Sequence, residues 1–327
     1  MIKAGVIGVG YLGKFHAEKY AMLPDVELVG VADVDFERAE QVASTTSCKP
    51  FADYNELLSQ IDIASIVVPT THHYEVAKNV LAQGVHCLLE KPITTTVEQA
   101  DELIELAKQK SCILQVGHLE RFNPAIKFLE KHVDTPLFIE AHRLAGFKPR
   151  AIDVDVVLDL MIHDIEIVLA LVDSPLKDLH AVGVPVLTPN IDIANVRLIF
   201  ENGCTTNLTA SRISLTAMRR IRIFQPGVYI SADCQERNNL KVTAKPGVDP
   251  MNAIQPEFFN YEECDVLFEE IKDFVGCVLE KRQPKVSGIE GRNALALALK
   301  INEQIENGLK MAKEKIAPVL STFEHLQ

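Results

Sequence analysis

The sequence has no excess of positive charge: 33 Lys and Arg stand against 45 Asp and Glu, a formal net charge of -12. That balance argues against a nucleic-acid footprint and against binding to an anionic membrane surface. A clean apolar run is missing too. The longest candidate, Val154 to Val172, is broken by Asp155, Asp159, Asp164 and Glu166, which excludes a comfortable bilayer span. Nothing like a leader opens the chain, since Met1-Ile2-Lys3 runs directly into a strand pattern. Seven cysteines are scattered without a CxxC pair, which fits thiols in a reducing cytoplasm better than disulfides or zinc. Repeats and low-complexity tracts are also absent. What is present is 327 residues, enough for two domains and a large core.

The first 120 residues alternate strand and helix signals. Strand-like runs are Ile2–Ile7, Val26–Ala32, Ile63–Val68, Val85–Glu90 and Cys112–Val116, with helical patterns between them such as Tyr74–Gln83 and Val97–Gln109. This spacing predicts βαβ units and a doubly wound parallel sheet. After about Pro124 the pattern changes. A helical stretch, Val156–Leu171, precedes antiparallel-looking runs at Leu179–Val186, Ala194–Phe200, Thr205–Ser211, Arg219–Phe224 and Tyr229–Ala232. Lys245 to Glu257 reads as a loop, and helices follow from Cys264. The expected fold class is α/β: a Rossmann domain over residues 1–122, then an α+β domain over 123–327 with an open, mainly antiparallel sheet.

The strand Ile2–Ile7 runs into Gly8-Val9-Gly10-Tyr11-Leu12-Gly13. Gly8 permits the tight turn, Gly10 lets backbone approach a pyrophosphate, and Gly13 lets the helix pack close to the strand. The helix beginning near Tyr11 and Leu12 would offer its first amides to phosphates. A bare GxGxxG is a weak signal. Here it follows a strand, opens a helix and has Asp33 twenty residues beyond Gly13, at the end of the next strand. Asp33 would meet the ribose hydroxyls of NAD and repel a 2′-phosphate, so NAD is preferred to NADP; Arg38 nearby is read as a solvated helix residue. Glu90-Lys91-Pro92 ends the strand Val85–Glu90, which points Lys91 into the crevice where such sheets bind ligands. His72-His73 has no spaced carboxylate or cysteine partner, so no metal site is expected.

With these residues the chain resembles the glucose–fructose oxidoreductase/inositol dehydrogenase (Gfo/Idh/MocA) family. The pieces that carry the resemblance are GVGYLG, Val31-Ala32-Asp33, Pro69-Thr70-Thr71-His72-His73, Glu90-Lys91-Pro92 and Asp159-Leu160-Met161-Ile162-His163-Asp164. A closer resemblance, on Gly117-His118-Leu119-Glu120-Arg121-Phe122-Asn123-Pro124 and Asp192-Ile193-Ala194-Asn195-Val196-Arg197, is to bacterial UDP-N-acetylglucosamine 3-dehydrogenases, which feed lipid A synthesis. The resemblance implies that Glu90 and Lys91 lie beside the nicotinamide and that Pro69, Thr70 and His73 lie along the cofactor. It also implies that Asp159 and His163 form an acid/base pair.

Oxidising a secondary alcohol needs a hydride acceptor and a base, and histidine titrates in the right range. Asp159 and His163, four apart in a helical segment, share a face. Lys91 would stabilise the developing alkoxide, or act as base itself if its pKa were depressed. His118, Arg121 and Arg143 are candidate substrate contacts, and Lys148 would add positive charge for a diphosphate. Competing readings are a dehydrogenase of inositol or a free sugar, and a non-catalytic dinucleotide-sensing regulator. Ile193, Val196, Leu198, Leu208 and Ile221 suggest an open apolar sheet face and hence a homodimer or homotetramer.

Overall fold

The structure is a computed structural model that describes residues 1–147, 154–244, 247 and 254–312. Runs of apolar residues at Ile2–Ile7 (β1), Val26–Ala32 (β2), Ile63–Ile66 (β4) and His86–Glu90 (β5) are buried along most of their length. That is how strands covered on both faces of a parallel sheet read. With Lys49–Phe51 (β3) and Leu114–Gly117 (β6) they form a six-stranded sheet of order β3-β2-β1-β4-β5-β6. Every pairing in it is parallel.

Local chemistry sets the crossovers. The helix Phe36–Thr46 (α2, after Gly13–Met22, α1) starts where Asp35 accepts from the Arg38 amide and ends at Ser47 in the left-handed region. After Tyr54–Leu58 (α3) and Thr70–Ala82 (α4), Val97–Lys110 (α5) starts where Thr96 accepts from the Gln99 amide. Its last turn carries Lys108 and Lys110, which complement the carbonyl end.

Two compact units result, and their boundaries differ from the expected 1–122 and 123–327. The first comprises Met1–Phe122 together with Asp265–Leu295; the second comprises Asn123–Cys264 and the chain from Ala296. After Pro124–His132 (α6) and Ile162–Val172 (α7), the helix Val266–Glu280 (α8) explains the difference. Its Leu267, Ile271, Phe274 and Val275 join one core with Val6, Tyr20 and Leu88 of the parallel sheet and its helices. Asp265 fixes its start by accepting from the Phe268 amide and pairing with Lys19 at 2.7 Å. The last described helix, α9, is Gly288–Met311.

In the second unit eight strands follow the order β14-β13-β12-β11-β7-β10-β9-β8. They are Phe138–Leu144 (β7), Leu176–Val184 (β8), Ile193–Phe200 (β9), Thr205–Ser211 (β10), Met218–Gln225 (β11), Val228–Asp233 (β12), Asn238–Ala244 (β13) and Ile254–Asn260 (β14). All neighbours are antiparallel except β7 and β10. The reading of Lys245–Glu257 as a loop needs correction, because Ile254 already pairs with Ala244. Of residues 245–253 only Gly247 is described.

The ground offered for assembly also changes. Val196, Leu198, Leu208 and Ile221 are fully buried within this one chain. Helices α6 and α7 pack on this sheet. Strand alternation leaves a different face outward. It carries Asn195, Asn207, Thr209 and the Arg222–Glu140 pair (2.5 Å), beside a row in which Phe224 stands 5.7 Å from Phe138 and 5.0 Å from Tyr229. Among the described residues no helix is long and apolar enough to cross a membrane, and no cluster could hold a metal ion.

Candidate active site

The glycine loop leaves the carboxyl end of β1 beside the carboxyl end of β4, the place where the strand order reverses and such sheets take ligands. Gly8 has φ +86°, and a Cβ there would stand 2.6 Å from the Val67 carbonyl oxygen. A Cβ on Gly13 would stand 1.9 Å from the Gly8 carbonyl oxygen, so helix and loop meet only because it is glycine. Gly10 has nothing within 4 Å of its missing Cβ and faces open space. Leu12 precedes α1 without a side-chain cap; the Lys14 and Phe15 amides donate to the Gly10 and Leu12 carbonyls, which leaves the amides ahead of them for a phosphate. Tyr11 is exposed and rests edge-on against Phe15, with Lys14 Nζ 4.8 Å from the Phe15 ring centre.

Asp33 holds this loop. Its Oδ2 accepts from the Val9 amide at 2.8 Å and its Oδ1 from the Asp35 amide at 2.9 Å. Arg38 lies against the same carboxylate at 3.4 Å and pairs with Asp35 at 2.9 Å while remaining exposed on its helix. A cleft of about 600 Å³ runs past Gly10 and Asp33 and is lined further by Tyr54, Val68, Pro69 and His72. Tyr54 escaped the sequence reading, because nothing in its spacing marks a cleft wall; its signal is Asp53, which caps the short helix that Tyr54 opens. These residues fit a dinucleotide: a close-approach glycine, uncapped amides and a carboxylate at the end of β2.

Four residues named for the site are buried in the first unit. Glu90, at the end of β5, accepts from the Lys91 amide at 3.2 Å, and its other oxygen meets His16 Nε2 at 3.2 Å. Gly117 makes room for it, since a Cβ there would lie 2.9 Å from Glu90 Oε1. Lys91 itself is half-buried. His73 is buried, its Nδ1 2.8 Å from the Pro92 carbonyl and its Nε2 2.9 Å from the Val68 carbonyl. Burial lowers its pKa and outweighs the two carbonyls, which favour the charged ring. The ring thus ties the end of β4 to the Lys91-Pro92 turn, while neighbouring His72 reaches the cleft. His118 is buried too, and burial, then the charges of Lys91 and Arg121, push it down to about 3. Arg121 is buried beside it, with its carbonyl accepting from Lys285 Nζ at 3.0 Å.

In the second unit the segment with Asp159 is not plain α-helix. Val157–Met161 forms a π-helical turn, started by Asp155 accepting from the Val157 and Leu158 amides, and Ile162 begins α7. Such turns recur at functional sites. Val157, Met161, Ile162 and Ile165 are buried, whereas Asp159 and His163 lie on the half-buried side. Arg143 grips Asp164 with two charge-assisted hydrogen bonds, Nε to Oδ2 at 3.0 Å and Nη2 to Oδ1 at 2.8 Å. That fork fastens β7 to the residue after His163. Lys148 lies outside the described residues.

A parallel sheet of this order, a phosphate-ready glycine loop and an acid at the end of β2 define a dinucleotide-binding protein of Rossmann type. Residues 2–118 match the model of the oxidoreductase family with an NAD-binding Rossmann fold. A UDP-N-acetylglucosamine 3-dehydrogenase of Acidithiobacillus ferrooxidans is 40% identical over 311 residues, 93% of this chain and 97% of that one. The solved structure of that organism's UDP-N-acetylglucosamine 3-dehydrogenase GnnA superposes with a TM-score of 0.89 at 39% identity, over 94% of this chain and 98% of its own. The myo-inositol 2-dehydrogenase of Thermotoga maritima is 25% identical over 96% of this chain and 99% of its own. The chain belongs to the Gfo/Idh/MocA family of NAD-binding oxidoreductases.

Proposed function

We propose that the protein oxidises the 3-hydroxyl of the sugar ring of UDP-N-acetylglucosamine with NAD as acceptor. The likeness over nearly the whole chain to a UDP-N-acetylglucosamine 3-dehydrogenase carries this reading, in a sequence that contains Lys91, Asp159 and His163. The bound nicotinamide supplies the hydride acceptor. Lys91 stabilises the alkoxide as the hydroxyl proton leaves. With Lys91 cationic, His163 takes the proton and Asp159 orients the imidazole. His118, Arg121 and Arg143, all buried, are the further candidates for contact with the substrate. We also propose a reducing cytoplasm as the setting, and a homo-oligomer paired through the outward row of Phe138, Phe224 and Tyr229.

Cofactor choice is assigned to Asp33. Asp33→Ser removes the ribose acceptor and releases Arg38 from its carboxylate. The expected outcome is weaker NAD binding and a relative gain for NADP, read as the ratio of the two Kd values; an unchanged ratio removes Asp33 from that role.

Substrate class is tested by heat. UDP-N-acetylglucosamine at about 100 times its Kd should stabilise the native state by roughly 2.7 kcal/mol, several degrees in Tm. Myo-inositol should leave Tm where it was. Protection by inositol and none by the sugar nucleotide would move the assignment to a polyol dehydrogenase.

A further inference from the structure

The segment entering the π-helical turn is held by polar groups that the mechanism above does not use. Asp155 is their focus. Its Oδ1 accepts from the Val157 and Leu158 amides at 2.8 and 3.0 Å, and its carbonyl accepts from the Asp159 amide at 3.0 Å. The remaining oxygen, Oδ2, accepts from Asn302 Nδ2 at 2.9 Å, on the part of α9 that belongs to the second unit. Asn302 is a poor choice for stability alone. Its own Oδ1 is buried without a hydrogen-bond partner among the described residues, and such a group costs free energy on folding. One residue before Asp155, the Val154 carbonyl accepts from Arg212 Nη2 at 2.7 Å, and the same nitrogen donates to the Ile191 carbonyl at 3.0 Å. That second carbonyl also takes the Val156 amide at 2.9 Å.

We propose that Asn302 is a positioning residue for the acid/base pair: with Arg212 it forms a two-point brace that sets the π-helical turn and so the stance of Asp159 and His163. This rests on the reading of Asp159 and His163 as that pair. The Arg212 arm is itself fixed. Arg212 is buried just after β10, with Nε 3.0 Å from Asp192 Oδ1, and Asp192 is fully buried. Asp192 Oδ2 accepts from the Val186, Leu187 and Thr188 amides at 2.8, 2.6 and 2.9 Å, while the Thr188 hydroxyl donates to Oδ1 at 2.8 Å. The guanidinium therefore stands on a carboxylate that cannot turn. Asn302 supplies the other point, because the carboxylate it holds is the one that starts the turn. A π-helical turn is wound wider than an α-helical one, so relaxing it changes the angle between Asp159 and His163 about the helix axis.

The test is a double-mutant cycle of Asn302→Ala with His163→Ala, using NAD and UDP-N-acetylglucosamine. In the parent background Asn302→Ala should lower kcat by roughly 10- to 10²-fold, the scale of a small misplacement of a catalytic group. The Kd for NAD should not move, and Tm should stay within about 2 °C, since the buried amide oxygen goes with the amide nitrogen. With His163 already gone the same substitution should cost less than about 2-fold, because its effect passes through that residue. An equal loss in both backgrounds, or a Tm that falls in step with kcat, overturns the proposal by making Asn302 a purely structural residue. A second readout needs no turnover. Amide hydrogen exchange over residues 157–159 should quicken about 10-fold in Asn302→Ala, with little change over Ile165–Val172. Unchanged exchange at 157–159 overturns the brace. Should the parent show no turnover with this substrate, or His163→Ala keep the parent's rate, the substrate or base reading fails, and the exchange measurement still decides whether Asn302 sets the turn.

Discussion

Lys91→Ala should lower turnover by at least about 10²-fold, the scale of losing a positioned donor where charge develops. NAD affinity should change far less. Lys91 follows Glu90 at the end of β5, whereas Gly8, Gly10, Asp33 and the cleft past Tyr54 are the proposed hold on the other end of the dinucleotide. Lys91→Arg keeps the charge but changes reach and shape, and should not restore full activity. If kcat stayed near the parent's value in Lys91→Ala, the lysine would have no part in stabilising the alkoxide.

His163→Ala should cost a similar factor, about 10²- to 10⁴-fold, because it removes the proton acceptor. Here the pH profile is the sharper readout. The acid limb of kcat/KM, which reports protonation of the base in the free enzyme, should disappear in the variant. The surrounding framework should survive, since Arg143 and Asp164 still fasten α7 to β7 and Val157, Met161 and Ile165 still fill the core. Retention of the acid limb together with near-parent turnover would assign the base elsewhere, with Lys91 next in line.

Much of this is legible in the sequence because parallel strands and glycine turns obey local rules. β1, β2 and Thr205–Ser211 fall where apolar patterning puts them, and Gly8 and Gly13 are dictated by contacts a few residues away. What stays hidden depends on distant parts of the chain. The apolar stripe of α8 is visible in its spacing, but not that it completes the core of the first unit. Alternation along β9 and β10 gives two faces without telling which one the helices cover, and the apolar face proved to be the covered one. A buried ring at His73, a neutral His118 and the Arg143–Asp164 fork cannot be told from exposed ligands by residue type. All three are polar groups whose environment is set by tertiary packing. The same holds for Asn302, which in the sequence is one polar residue among several on a long helix.

The central claim is most directly tested by mixing the purified protein with NAD and following absorbance at the reduced-nicotinamide band. The account predicts a rise on adding UDP-N-acetylglucosamine, little or none with free N-acetylglucosamine or myo-inositol, and a rise slowed at least about 10²-fold in Lys91→Ala and His163→Ala. A rise with inositol alone, or an equal rate in the two variants, would contradict it.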